Sequence, residues 1–108
     1  MAYYMGQAAY TAEALAALIR NPQNRRDVVK ETIEKLGGRL EGLWFAFGEY
    51  DVVLIMEIPD NVTATAFSLV VAASGSLRDF KTTPLMTAEE AMDAMTKAGE
   101  AGYRPPAG

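Results

Sequence analysis

Tyr50 and Asp51 stand side by side and could carry acid–base chemistry. A buried carboxylate with a raised pKa can give or take a proton, so Asp51 and Tyr50 are the candidate catalytic residues. The same pair has a plainer reading. Asp51 follows a turn and could accept hydrogen bonds from its backbone, while Tyr50 packs on a neighbouring strand. Gln7 is the lone amide of an apolar, aromatic segment; it could orient a ligand or bond backbone across an interface. Trp44, the only tryptophan, is followed by Phe45 and Phe47, and aromatics so grouped either line an apolar pocket or fill a core. With Arg78, these residues (Gln7, Trp44, Tyr50, Asp51 and Arg78) form the candidate ligand-binding set. Glu57 ends an otherwise apolar row and could pair with Lys81 or Arg78 at a sheet rim.

Composition removes much other chemistry. The 108 residues include no Cys and no His. Disulfides, thiolate nucleophiles and Fe–S sites are excluded, as are the usual zinc and haem ligands. Only carboxylates, carbonyls and Met remain as metal ligands, so no metal site and no cofactor is expected. The net charge is −4, from 14 acidic and 10 basic residues. Arg25-Arg26 is a lone basic pair beside an acid, which argues against nucleic acid as a partner. No apolar run approaches the roughly 20 residues that span a bilayer, so no membrane association is expected. The N-terminus lacks a basic region followed by an apolar stretch, and the cytoplasm is the expected compartment.

The elements that must position these residues follow from periodicity and punctuation. Residues 3–10 read as a first strand. Thr11 can cap a short helix with Leu15, Leu18 and Ile19 on one face. Asn21-Pro22 reads as a second helix start, with Val29, Ile33 and Leu36 along the buried side and Gly37-Gly38 ending it. Residues 39–47 and 50–58 read as a hairpin whose tight turn, Gly48-Glu49, calls for positive φ at Gly48. Pro59 stops the second of these strands. Asp60 or Asn61 then caps a helix with Val62, Ala66, Leu69, Val70 and Ala73 on one face. Gly75 ends that helix, and residues 76–85 form a fourth strand. Thr87-Ala88-Glu89-Glu90 is a capping box. It opens a last helix with Ala91, Met92 and Met95 inward, and residues 99–108 read as an extended tail. The order is β-α-β-β-α-β plus a terminal helix: an α+β, ferredoxin-like antiparallel sheet in spatial order 4-1-3-2, its helices on one face. One domain over residues 1–98 is expected.

The third strand is apolar on both sides. Val52, Leu54 and Met56 serve one face, and Val53 and Ile55 the other, whereas a sheet with one wet face should alternate. Something must cover the second face. A second copy of the sheet is the simplest cover, with Val53, Ile55, Phe45, Phe47 and some of Tyr3, Met5 and Tyr10 meeting across a two-fold axis. The terminal helix folding back is the other possibility.

Phe47-Gly48-Glu49-Tyr50-Asp51, the aliphatic run after it, Glu57-Ile58-Pro59-Asp60, Gly75 and Lys81-Thr82-Thr83-Pro84-Leu85 together resemble the GYD-domain family. Gly48, Tyr50 and Asp51 stand where that family has its Gly, Tyr and Asp. The resemblance covers about residues 3–97. It implies a dimeric α/β-barrel fold of bacterial type, in a superfamily that includes cofactor-free monooxygenases, isomerases, cyclases and haem-degrading enzymes. It supplies no activity to carry over, and the missing His argues against haem chemistry. Two functions are therefore expected candidates. One is a dimeric module binding a small apolar molecule or a protein partner. The other is a cofactor-independent enzyme acting on a small hydrophobic or aromatic substrate. A purely structural dimer is a third. Elemental analysis of protein dialysed against a chelator should find no stoichiometric zinc or iron, and its spectrum no haem band; either one retained would contradict the composition argument.

Overall fold

The computed structural model describes residues 1–107. Four strands, β1 (Ala2–Tyr10), β2 (Arg39–Phe45), β3 (Val52–Ile58) and β4 (Leu77–Leu85), form one antiparallel sheet in the order β2-β3-β1-β4. This is the expected 4-1-3-2 arrangement. Four helices accompany it: α1 (Ala12–Arg20), α2 (Arg25–Lys35), α3 (Asn61–Ala73) and α4 (Ala88–Ala101). The fold is α+β and ferredoxin-like.

The alternation of β3 places the core. Val52, Leu54, Met56 and Ile58 are buried, while Val53, Ile55 and Glu57 are only half-buried. The buried row meets Tyr4 and Ala8 of β1, Ile33 of α2, and Ala64 and Phe67 of α3 in one cluster. Helices α2 and α3 therefore cover the same sheet face, and the face carrying Val53 and Ile55 is left open. Removing these apolar side chains from water is what drives the layers together, at about 1.5–3 kcal/mol for each large one.

Local chemistry sets the helix ends. The Thr11 hydroxyl accepts from Ala14 N at 3.1 Å, and the Asp60 carboxylate accepts from Thr63 N at 2.9 Å. Both the Thr63 amide and its hydroxyl hold the Asp60 carboxyl below its ordinary pKa. The Thr87–Glu90 capping box is present in full. Gly37 ends α2 at φ 79°, a conformation that disfavours any residue with a Cβ.

Several expectations need correction. Asn21 closes α1, its N–H donating to Ala17 O; the start of α2 is Asn24, whose side chain accepts from Arg26 N at 3.0 Å. Pro22 lies in the connection between them. The β2–β3 connection is not a two-residue turn. It takes in residues 46–51, closed by Ala46 N donating to Asp51 O at 2.8 Å, and Gly48 does not adopt positive φ. Helix α3 turns a different face inward. Ala64, Phe67 and Val71 pack on the core, while Val62, Leu69 and Val70 are 80%, 65% and 53% exposed. Phe67 is the largest side chain available to fill the space beneath, so it sets the phase. Phe45 pairs with Val52 and so lies on the helix-covered side of β2, and Tyr10 also packs on that side. Neither belongs to the open face.

The last helix also departs from expectation. It runs to Ala101, past Gly99, so extended chain begins at Gly102; Gly108, the end of the expected tail, lies outside the described residues. Met92 and Met95 are exposed rather than inward, because α4 packs along no other element of the chain. The terminal helix therefore does not cover the open sheet face.

The two glycines supply a test by denaturant unfolding. Gly37→Ala should cost about 1–2 kcal/mol, because alanine must adopt the left-handed conformation. Gly48→Ala should stay within about 0.5 kcal/mol, since a Cβ there meets nothing within 4 Å. Equal losses would contradict the loop geometry.

Candidate functional site

The 46–51 loop is anchored on two strands, β1 and β4. Asp51 Oδ2 accepts from Tyr10 N at 2.9 Å, and Asp51 N donates to Ala8 O at 2.8 Å. These two bonds bracket Ala9, which is fully buried although the pleat turns it away from the core. The register between β1 and β4 shifts between Ala9 and Tyr10, which frees the Tyr10 amide from the ladder. Asp51 supplies the missing acceptor. The donor it satisfies thus lies on β1, not in the turn beside Gly48.

The loop also reaches β4, on the far side of β1. Tyr50 OH donates to Asp79 Oδ2 at 3.3 Å, and Arg78 Nη2 donates to Glu49 O at 3.3 Å. Desolvation raises the Tyr50 phenol above its ordinary pKa, and the Asp79 carboxylate adds to the effect. A phenol held protonated beside a carboxylate can donate a hydrogen bond. It is a poor base.

The five sequence candidates are only partly brought together. Gln7 and Tyr50 line a hollow of about 400 Å³ on the open sheet face, with Phe47, Val53 and Lys81. Gln7 sits between Val53 and Lys81 in the strand register. Trp44 lies on the edge strand, more than half exposed, its ring over Gly42. Arg78 is spent on tying the loop to β4. Glu57 pairs with Arg39 at 3.7 Å and not with Lys81 or Arg78. Strand order explains this, because β1 separates β3 from β4. Glu57 also raises the pKa of Tyr3, its cross-strand partner, first through a hydrogen bond and then through its charge. Among the described residues, no group of three carboxylates stands close enough to hold a metal ion.

A second cavity lies on the other face, and none of the five candidates lines it. It is a cleft of about 230 Å³ between the sheet and helices α2 and α3. Its walls are mostly apolar, with Ala8, Val52, Phe67, Val71 and Phe80 among them. Tyr10, Thr32, Ser74 and Ser76 bring hydroxyls, and Arg25 brings the single charge. Burial raises the Tyr10 phenol above its ordinary pKa, and the Arg25 guanidinium beside it acts in the opposite sense. An engineered apolar cavity of about 150 Å³ takes benzene. This cleft is roomier, more open and edged with hydroxyls, of which Thr32 and Ser74 already donate to Val28 O and Val71 O. It is not legible in the sequence because the apolar residues of α3, counted alone, point Val62, Leu69 and Val70 inward. Anchoring the phase on Phe67, the largest side chain of α3, places Ala64 in the core and Val71 and then Ser74 along the cleft.

Comparison with known proteins locates the chain. The GYD domain family model matches residues 4–95. No curated protein matches. Among solved structures, an uncharacterized NIPSNAP domain protein from Burkholderia xenovorans is similar at 20% identity and TM-score 0.52, over 82% of this chain and 95% of that one. A hypothetical protein from Pyrococcus horikoshii is similar at 12% identity and TM-score 0.52, over 81% and 92%. The crystal structure of FFRP-DM1 is similar at 13% identity and TM-score 0.50, over 80% and 100%. At such identities these likenesses establish the shared fold and nothing further.

The Asp51 bonds make a stability prediction. Asp51→Ala should cost about 1–3 kcal/mol, because the Tyr10 N–H is left without its acceptor. Asp51→Asn keeps an acceptor and should lose less. Thermal melts of the two variants check this, and both melting at or above the parent would show that the carboxylate has a different task.

Proposed function

This chain belongs to the GYD-domain family, and on that premise we propose that it works as a homodimer holding a small, largely apolar molecule in the cleft between the sheet and helices α2 and α3. The observation that carries the reading is the cleft itself: an apolar hole beside the core, edged with a few convergent polar groups. A well-packed domain of this size leaves few voids larger than water. The cleft of about 230 Å³ beside Phe67 is mostly apolar and reaches in from the surface to the core, which is room that a ligand would fill.

The dimer reading is supported by the open face. Val53 and Ile55 there lie in the same sheet as Met5 and beside Trp44 in the strand register, and α4 leaves them uncovered. A second sheet packed about 10 Å away would bury them. It would also leave the helix-side cleft free. Catalysis has weaker support, since the Asp51 carboxylate is engaged by backbone and the Tyr50 phenol is directed at Asp79.

Native mass spectrometry of protein purified from its own host tests both parts. A mass of twice the chain plus a retained small molecule is expected. Ile55→Lys should give monomer, because an unpaired charge buried at the interface costs several kcal/mol, of order 3–5. Val70→Trp should fill the cleft from its half-exposed wall and release the molecule while leaving the dimer intact. A clean monomer of the parent chain would overturn the dimer, and a molecule retained equally by Val70→Trp would overturn the cleft.

A further inference from the structure

Arg25 is the single charged residue on the cleft, and no Asp or Glu lines it. The chain as a whole is acidic, with 14 acidic residues against 10 basic ones. Lys30, Lys35 and Arg39 pair with carboxylates. The other cations that lack such a pair among the described residues, Arg20, Arg26, Arg78, Lys81, Lys97 and Arg104, are exposed to water, which Arg25 is not fully. Arg25 pairs with no carboxylate among the described residues, and its guanidinium donates through Nη1 to the neutral Gln23 Oε1 at 2.9 Å. It is half-buried, as the first residue of α2. A guanidinium partly withdrawn from water, without a counter-charge, is under-satisfied: it has five N–H donors in a rigid fork suited to a carboxylate.

The rest of the cleft agrees with a charge at one end only. Tyr10, whose phenol lies beside Arg25, is held protonated by burial and can add a neutral donor. Deeper in, Phe67 and Phe80 meet edge to face, with ring centroids 6.0 Å apart, and offer an apolar wall. The volume suits a ring or short chain with a small head group.

We propose that the cleft ligand is a small hydrophobic monocarboxylate, its apolar body against Phe67 and Phe80 and its carboxylate on the Arg25 guanidinium. This rests on the reading of the cleft as a small-molecule site and adds the charge of the molecule and the residue that selects it. No bond is made or broken; the inference concerns recognition alone.

Matched acids and amides separate the two levels. Titrations would use 3-phenylpropionate and 3-phenylpropionamide, followed by calorimetry and by shifts of cleft methyl resonances such as those of Val71. The parent protein should bind the acid at least about tenfold more tightly than the amide, as a bidentate guanidinium–carboxylate pair outweighs a guanidinium bond to a neutral amide oxygen. Arg25→Gln should abolish that preference, weakening acid binding about tenfold and amide binding far less, and Arg25→Lys should restore part of it. Arg25 is at a helix end, so Arg25→Gln should fold, and an unchanged circular dichroism spectrum would verify this. Equal binding of acid and amide by the parent overturns the monocarboxylate inference and leaves the cleft reading standing. A preference for acid that survives Arg25→Gln overturns the role of Arg25. Failure of both probes to shift any cleft resonance overturns the inference and the cleft reading together.

Discussion

Gly6 and Ala8 lie on the inward row of β1, a central strand of the sheet, between larger side chains on both neighbours. A Cβ on Gly6 would come within 3.1 Å of Leu54 Cγ and 3.2 Å of Phe80 Cζ, so the row has almost no volume of its own. Side chains from either side lean in over it. Phe80 arrives from β4, and Phe67 descends from α3 to meet it edge-on at 65°. Once Phe67 is committed to that position, the phase of α3 follows, and Val62 and Leu69 are turned to solvent. Room remains over Ala8, bounded by α2 on one side and α3 on the other. The cleft is thus what Ala8, a small residue in a central strand, leaves behind, while the space over Gly6 is taken by Leu54 and Phe80. Filling such a row from β1 would trade the cavity for ordinary core at a cost of steric strain of about 1–3 kcal/mol.

What sequence reasoning recovered is the part written in local chemistry. Thr11, Asp60 and Thr87 announce helix starts because each side chain satisfies a nearby amide, and Gly37 announces an end because of its φ. The alternation of Val52 to Ile58 announces which face is core. The parts it missed depend on distant packing. Val62, Leu69 and Val70 outnumber Phe67 as apolar residues on α3, yet ring volume decided the phase. Gly48 and Glu49 look like a tight turn, but Asp51 is pulled back to β1 by the Tyr10 amide, which only the register shift exposes. Glu57 reads as a partner for cations on β4 because sequence distance does not reveal which strand intervenes. Of the candidate site residues, Gln7 and Tyr50 do share a hollow. Arg25 reads in the sequence only as half of a basic pair, and nothing local distinguishes it from Arg26.

Helix α4 shows the limit of local signals from the opposite direction. Its capping box is complete, yet it stands off from the domain. The radius of gyration is 17.5 Å, against about 13 Å for a compact chain of this length. A lone helix of 14 residues is marginal in water even with good caps. Met92 and Met95 on its surface stay 66% and 70% exposed. Flexible thioether side chains of this kind adapt to many surfaces, which sets α4 apart from the tightly specified sheet.

The strap formed by residues 46–51 has a consequence for how the sheet comes apart. Edge strands normally fray first, since each is held along one side only. Here the segment leaving β2, one edge, is bonded through Glu49 and Tyr50 to β4, the other edge, and through Asp51 to the central strand between them. Peeling β4 away must also loosen the entry to β3, and releasing β2 must free the strap from β4. The two margins of the sheet are therefore thermodynamically linked, and amide protons on β4 near Asp79 should exchange with the same opening free energy as those at the start of β3. A sheet of four strands so laced behaves as one cooperative unit, and the floor of the cleft is held by the whole of it.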